Sequence, residues 1–318
     1  MNEKILSLLK NSNTYISGED ISNKLGISRA AIWKHIQELR QLGYEIVAVP
    51  HLGYELAAIP DKLFPDEISI GLNTKIVGRQ IHYYESVDST MDIAMELALK
   101  GCPEGTIVCA ETQHKGRGRF GRIWQSAKYK GIYFSLVLKP KLLPLECPKL
   151  TLLAAVSSCE AIRKLSGLDC LIKWPNDLIV SNKKVGGILT EMNAEADQIK
   201  FVIVGIGINV NTPSNMLPPK AGSLKELAGK RFSRLDLLRT ILQNIDRQYL
   251  IFQKGDSQSI IDKWRKYSST IGHRVKVISQ NETIEGQAMD IDSDGGLIVR
   301  DDMGMVRKIM AADIVKIQ

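Results

Sequence analysis

Residues 114–124 read HKGRGRFGRIW, and no other segment constrains the fold as tightly. Gly116, Gly118 and Gly121 spell G-x-G-x-x-G. In a dinucleotide-binding fold that spacing needs a helix opening directly after the glycines, so that the helix N-terminus can hold a pyrophosphate. Here the continuation is RIWQSAKYKGIYFSLVLKP, which has no helical periodicity and runs into an alternating strand pattern. No acidic residue stands about 20 residues on in a suitable strand position. A second glycine pair, GIGINV at 205–210, lies in a strand pattern and continues as one, and no G-x-x-x-x-G-K-[ST] segment exists. The glycine loop therefore belongs to neither common nucleotide fold and has to connect strands of another.

The same loop carries Lys115, Arg117, Arg119 and Arg122. Four cations so close together repel one another unless something anionic sits among them, and guanidinium groups fork onto carboxylate and phosphate oxygens. Glycine lets the backbone approach a ligand closely. The expectation is a loop that moves when empty and is ordered by an anionic ligand. An arginine-glycine RNA-binding segment is the competing reading, but such segments repeat within disordered regions, whereas this one stands singly between strands.

Ahead of the loop, the first 60 residues read as a unit. NEKILSLLKN puts Ile5, Leu8 and Leu9 on one helical face. Ser17 with Asp20 three residues on resembles a capping box, and Gly26 ends that helix. A third helix follows with Ser28 as N-cap, Ile32, Ile36 and Leu39 as its buried stripe, and Gly43 beyond its end. Two alternating strands around Pro50, His51, Leu52 and Gly53 then read as a hairpin. This order is that of a winged helix-turn-helix, whose third helix enters the DNA major groove. Candidate DNA contacts are Ser28, Arg29, Ala30, Trp33 and Lys34, with Gln37 and Arg40 on the same outward face. Residues 1–60 hold six Lys/Arg and six Asp/Glu, so positive charge is local to the third helix. A winged helix used only for protein contact is the alternative, and Trp33 could pack against the wing.

AIPDKLFPDEIS reads as a linker, with two prolines and little periodicity. Beyond it come strand QIHYYES, a helix capped by Ser89 or Thr90 and ending near Leu99, and strand GTIVCAE leading into the glycine loop. Ile132, Phe134, Leu136 and Leu138 alternate along the next strand. A long helix spans about 147–165, four strand patterns follow (CLIKW, LIVS, VGGILTEMN and KFVIVGIGINV), and two helices lie near 235–252 and 257–267. From Gly272 the chain is strands only, turning at QNET and SDGG. The fold class expected is α+β in three domains, with a mixed or antiparallel central sheet and a small C-terminal β-barrel.

Five cysteines without C-x-x-C spacing argue against a disulfide framework or a zinc site, and no metal-ligating group is expected. Net charge is +7, which permits an anionic partner without identifying one. No segment reads as a signal peptide or a membrane span, so a cytoplasmic protein without membrane association is expected.

Five motifs in order carry a resemblance: DST at 88–90, GRGRFGRIW at 116–124, KWPND at 173–177, KKVGGIL at 183–189 and GIGINVN at 205–211. With the N-terminal winged helix, the chain resembles the bifunctional biotin protein ligases that also repress the biotin operon, over essentially its whole length. The resemblance implies a winged helix-turn-helix at 1–62, a biotin- and ATP-binding catalytic domain at 63–269 and an SH3-like barrel at 270–318. It implies formation of biotinyl-5′-AMP from biotin and ATP with Mg²⁺, then transfer of biotin to a lysine of a biotin carboxyl carrier protein. It also implies repression on operator DNA by a homodimer that forms when biotinyl-5′-AMP is bound.

Residue by residue, the resemblance makes Lys184, Arg117, Arg119 and Asp177 the catalytic candidates. Lys183 exchanges roles with Lys184 if the register differs by one. Ser89, Thr90, Gln113, Gly116, Arg117, Gly118, Arg119, Lys184 and Gly187 are the biotin candidates. Arg119, Arg122, Trp124, Asn176 and Asn209 are the nucleotide candidates. Core packing for Trp124, capping for Ser89 and Thr90, and a buried Asn-Asp turn after Pro175 stand beside those roles. Phe120 and Trp33 depart from the family's usual pattern. A biotin-sensing repressor without catalysis and a lipoate-type ligase remain as alternatives.

Overall fold

The computed structural model describes residues 1–12, 14–195, 198–278, 283–310 and 312–316. The chain divides into two compact units, Met1–Gly71 and Leu72–Gln318.

The first unit holds α1 (Asn2–Lys10), α2 (Gly18–Leu25), α3 (Arg29–Gln41), β1 (Glu45–Val49), β2 (Gly53–Ala58) and α4 (Pro65–Ser69). The caps are those read from sequence. Ser17 Oγ accepts from Asp20 N–H, Ser28 Oγ accepts from Ala31 N–H, and Gly26 closes α2 in the left-handed conformation at φ 66°. In α1 the buried residues are Ile5, Leu6 and Leu9, with Leu6 taking the place expected of Leu8. Ile32, Ile36 and Leu39 are fully buried, as the stripe requires. Gly53 at φ 112° ends the turn between β1 and β2, and a Cβ there would lie 2.0 Å from the Ile16 carbonyl oxygen. The stretch expected as a linker is folded instead. Leu63, Phe64, Glu67 and Ile68 are buried in and before α4. Glu67 pairs with Lys10 and accepts the Tyr44 hydroxyl at 2.8 Å, which fixes α4 against α1. Burial, with that carboxylate as hydrogen-bond acceptor, pushes the Tyr44 phenol far above its usual range.

The second unit is built on β3 (Ile81–Tyr84), β4 (Ile107–Ala110), β5 (Ile132–Leu138), β6 (Leu171–Lys173), β7 (Asp177–Val180), β8 (Lys183–Glu195) and β9 (Gln198–Ile208). They form one sheet in the order β3-β4-β5-β9-β8-β7-β6, with only β3 and β4 parallel. This is the mixed sheet expected. β5 is buried at all seven positions, so it is covered on both faces rather than on the one its alternation suggested. Helix α5 (Thr90–Leu99) packs Met91, Ala94 and Ala98 onto Val108, Val137, Phe201 and Ile203. Helix α6 (Pro148–Ser166) lies across β6–β9, with α8 (Arg234–Gln253) and α9 (Gln258–Tyr267) against it and a short α7 (Leu224–Ala228) before them.

The C-terminal strands β10 (Arg274–Ile278), β11 (Thr283–Ile291), β12 (Leu297–Asp301), β13 (Val306–Ile309) and β14 (Asp313–Lys316) pair antiparallel in the order β13-β12-β11-β10-β14. Among the described residues β13 and β14 are the two edges, so the sheet is open rather than the closed barrel expected. SDGG turns as expected, with Gly295 at φ 85°, whereas Gln280, Asn281 and Glu282 of the QNET turn lie outside the described residues. The sheet is tied to the central one at Trp174, whose backbone N–H donates to Thr270 Oγ1 at 2.9 Å and whose indole N–H donates to the Gly295 carbonyl at 3.0 Å.

All five cysteines are free, and only Cys102 is not buried. Burial raises the Cys109 and Cys147 thiols, the latter to about 11, and a hydrogen bond with Cys170 together with burial raises Cys159. A raised thiol keeps little thiolate at pH 8. Alkylation of the native protein at pH 8, read by mass spectrometry, is expected to label Cys102 quickly and all five only after denaturation. Rapid native labelling of Cys147 or Cys159 would contradict this packing.

Candidate functional site

The glycine loop folds back on itself as a narrow hairpin. Trp124 N–H donates to Gly116 O at 2.8 Å, and Gly118 N–H donates to Arg122 O at 2.7 Å. A tight turn at Arg119–Gly121 reverses the chain, with Phe120 at φ 55° and Gly121 at φ 73°. Phe120 is a non-glycine residue in the left-handed region, where a Cβ costs of order 1 kcal/mol. Its ring is half exposed, with the Arg119 guanidinium 4.7 Å from its centroid. Gly116 is required by space, since a Cβ would come within 2.6 Å of the Trp124 carbonyl oxygen.

The four loop cations are not left to repel one another. Lys115 pairs with Asp88 at 2.7 Å; Arg117 with Asp92, and with Glu191 at 2.9 Å; Arg122 with Asp313. Arg119 donates to the Ala312 carbonyl at 3.1 Å. This corrects the expectation that charge compensation waits for a ligand. The hydrogen bond from Lys115 holds the Asp88 carboxyl below its usual range. Burial, offset by the Asp177 charge and reinforced by Arg122, lowers the Arg119 guanidinium. The ion pairs are largely solvent-exposed, and exposed pairs are worth about 0–1 kcal/mol each. An anionic ligand can therefore displace them at small cost.

The loop roofs a cavity of about 370 Å³. Of the sequence candidates, Thr90, Gln113, Arg117, Gly118, Arg119, Arg122, Trp124, Asn176, Asp177, Lys184, Gly187 and Asn209 line it. Ser89 and Gly116 do not. Ser89 is 1% exposed and caps α5 by accepting from Met91 N–H. Lys184 Nζ lies 2.5 Å from Asp177 Oδ1, on the neighbouring strand, and 5.7 Å from the Trp124 ring centroid. Strand alternation leaves Lys183 exposed and outside the cavity lining, so the register places Lys184 at the site. Gly187 and Gly207 make room for Trp124: a Cβ on Gly207 would sit 2.5 Å from the indole, and one on Gly187 3.3 Å from it and 3.4 Å from Lys184 Cε. The Trp124 indole N–H is buried without a hydrogen-bond partner.

At one end of the cavity, Gln113 Oε1 accepts from Thr90 N–H at 2.9 Å and from its hydroxyl at 3.0 Å, and Gln113 Nε2 donates to Ser126 Oγ at 3.1 Å. Thr90 Oγ1 and Ser135 Oγ are 2.8 Å apart. Asn176 Nδ2 donates to Ile188 O at 2.6 Å, tying the turn before β7 to β8, and Asn209 Nδ2 donates to Gly222 O at 3.2 Å, tying the end of β9 to the loop before α7, and both residues line the cavity. Ser135, Ser126, Trp174, Ala312, Asp313, Asp92 and Glu191 were not anticipated. KWPND alone carried a signal for Trp174; the others are isolated residues that only the tertiary fold assembles. Among the described residues no three metal-ligating side chains cluster.

In the N-terminal unit, Ser28, Arg29, Ala30, Trp33 and Lys34 are exposed on α3, and Trp33 retains 59% of its surface. It is a surface residue, not a core one. Arg40 reaches the hairpin, donating Nε and Nη2 to the Ile46 carbonyl at 3.0 and 2.6 Å.

Comparison with known proteins decides what this arrangement belongs to. The chain is 42% identical to the bifunctional ligase/repressor BirA of Bacillus subtilis, over 95% of this chain and 94% of that one. It belongs to the bifunctional biotin ligase/repressor family. BirA of Escherichia coli is 30% identical over 98% of the chain and 95% of its own length. Profiles for an HTH domain, the Biotin/lipoate A/B protein ligase family and the Biotin protein ligase C terminal domain match residues 2–55, 83–209 and 270–316. Among solved structures, the Aquifex aeolicus biotin protein ligase in complex with biotin and ATP superposes with a TM-score of 0.65 at 29% identity, covering 76% of this chain and 99% of that one. Family membership rests on the match to the Bacillus subtilis protein over 95% of this chain, more than the 76% that the structural relative covers.

Proposed function

We propose that the chain is an ATP-dependent biotin protein ligase that also represses transcription with biotinyl-5′-AMP as corepressor. The observation that carries the chemical half is the convergence of Lys184, the loop guanidinium groups and Trp124 on one cavity. In the first step a biotin carboxylate oxygen attacks the α-phosphorus of ATP, and pyrophosphate leaves. Both reactants are anionic, so the barrier falls when fixed cations screen their repulsion and meet the developing charge. Lys184, Arg117 and Arg119 supply those cations, and Arg122 and Trp124 take the nucleotide side. Mg²⁺ would come with the triphosphate as part of the substrate, which needs few protein ligands; Asn176 and Asn209 would be its neighbours in the cavity lining. Thr90 and Gln113 form the polar end for the biotin ureido group, with Ser89 acting through the α5 cap. In the second step a carrier-domain lysine attacks the mixed-anhydride carbonyl, an amide forms and AMP leaves. That lysine starts near pKa 10.4, and Asp177 is the carboxylate we assign to take its proton.

The regulatory half assigns 1–62 to operator binding, 63–269 to catalysis and 270–318 to an SH3-like domain. When adenylate replaces the exposed ion pairs of the loop with its own contacts, it fixes the loop more firmly, any dimer surface that includes it costs less to form, and a dimer sets two winged helices on two half-sites. The partners are thus a biotin carboxyl carrier protein, operator DNA and a second copy of this chain.

The test is acyl-adenylate formation from α-labelled ATP and Mg²⁺ with biotin, lipoate or octanoate. Labelled adenylate with biotin alone is expected. A product with lipoate would overturn the substrate, and tight biotin binding with no product would leave a sensor without catalysis.

A further inference from the structure

The exposed face of α3 contains more than cations. Arg29 and Lys34 flank Ala30 and Trp33, which stand one turn apart and form a contiguous apolar strip. The remaining cation of the helix, Arg40, is spent on the Ile46 carbonyl, and the Ser28 Oγ accepts from Ala31 N–H as the helix cap. An indole with 59% of its surface exposed, in a water-facing position of a small unit, has no packing role to explain it. Only one base in the major groove offers an apolar group, the C5 methyl of thymine, and apolar side chains such as Ala and Phe are the ones that contact it.

We propose that Trp33, with Ala30 beside it, reads a thymine methyl in each operator half-site and is a specificity-determining residue, while Arg29 and Lys34 fix the helix on the phosphates. This rests on the DNA-binding reading above. The division of labour is physical. Phosphate contacts position the helix without sequence information, and the apolar strip gains free energy only where a methyl group meets it. The indole N–H lies at the edge of the same ring and can donate to an acceptor on the neighbouring base pair.

The experiment starts by selecting duplexes from a random-sequence pool with full-length protein, biotin, ATP and Mg²⁺ present. The enriched duplex is then resynthesised with uracil in place of each thymine in turn, which removes the methyl and nothing else. One thymine per half-site is expected to be methyl-sensitive, with binding about fourfold weaker on uracil, the worth of one buried methyl group. Trp33→Ala is expected to bind the thymine and uracil duplexes equally, and to lose preference at that base pair alone. Arg29→Ala and Lys34→Ala are expected to weaken all duplexes alike and to lower the salt dependence. A wild-type protein indifferent to every thymine-to-uracil change, or a Trp33→Ala variant that keeps the full methyl effect, would overturn the assignment while leaving DNA binding intact. Failure of the wild-type protein to enrich any sequence would instead overturn the DNA-binding reading on which the assignment rests. Trp33 is exposed, so the substitution leaves the buried stripe of α3 untouched, and an unchanged circular dichroism spectrum confirms it.

Discussion

Lys184→Gln is expected to slow biotinyl-adenylate formation by about 10²–10³-fold, the cost of removing one positioned donor from an anionic transition state. The geometry explains why the loss is chemical rather than structural. Lys184 Nζ reaches the cavity from β8, its ion-pair partner Asp177 stands on β7, and its side chain keeps 37% of its surface exposed. A pair exposed to that degree contributes about 1 kcal/mol at most to folding. Unfolding of the variant should therefore shift by only a few degrees. Single-turnover formation of labelled adenylate measures the rate, and a thermal melt measures the fold. Lys183→Gln is the internal control, because Lys183 faces away from the cavity, and it is expected to retain adenylation within about twofold. If instead Lys184→Gln retained more than a tenth of the wild-type rate, the loop guanidinium groups would carry the screening alone.

The sequence was most legible where chemistry is local. A serine that caps a helix does so within three residues, so Ser17 and Ser28 could be recognised from spacing, and the α5 cap could be narrowed to Ser89 or Thr90, of which Ser89 caps. The glycine loop could be denied a following helix because the next residues lack its period. The motifs at 173–177 and 183–189 named Asp177 and Lys184 only through the family resemblance they carry; that the two side chains meet across β7 and β8 is a fact of the fold. What was not legible depends on residues far apart in the chain. Pro65–Ser69 read as a linker because its short apolar turn is stabilised by Lys10 and Tyr44, which no local pattern can announce. The loop cations looked uncompensated because their carboxylates lie far off in the chain, at Asp88 in the DST motif and at Asp92, Glu191 and Asp313, the last three ordinary charged residues in their own segments. Alternating strands at 274–316 suggested a barrel, but closure depends on which edges pair, and alternation is the same in an open sheet. Ser89 and Thr90 show the same limit on a smaller scale. Both are nearly fully buried at the start of α5, yet only Thr90 lines the cavity.

Arg234→Met is expected to destabilise the catalytic unit by about 3–5 kcal/mol, the usual result of leaving one partner of a buried ion pair uncompensated. Arg234 and Glu111 are both fully buried, 2.6 Å apart, and the same Arg234 Nη1 donates to the Gly131 carbonyl at 3.0 Å. The guanidinium thus joins the first turn of α8 to the end of β4 and the residue before β5, the two strands that the glycine loop connects. At roughly 2–4 °C per kcal/mol for a unit of this size, the melting temperature should fall by about 6–20 °C. Glu111→Gln should fall by less, because an amide still accepts the hydrogen bond while losing the countercharge of the carboxylate. The double variant Glu111→Leu/Arg234→Met removes both charges and should recover much of the loss, since apolar replacement of a buried pair is often near neutral. Recovery identifies the penalty as an uncompensated charge rather than a lost brace. No recovery would mean that the Gly131 contact matters more than the pair. The two classes of variant then separate cleanly: below its lowered melting temperature Arg234→Met should still form adenylate, because Arg234 does not line the cavity, whereas Lys184→Gln should stay about 10²–10³-fold slow at every temperature at which it is folded.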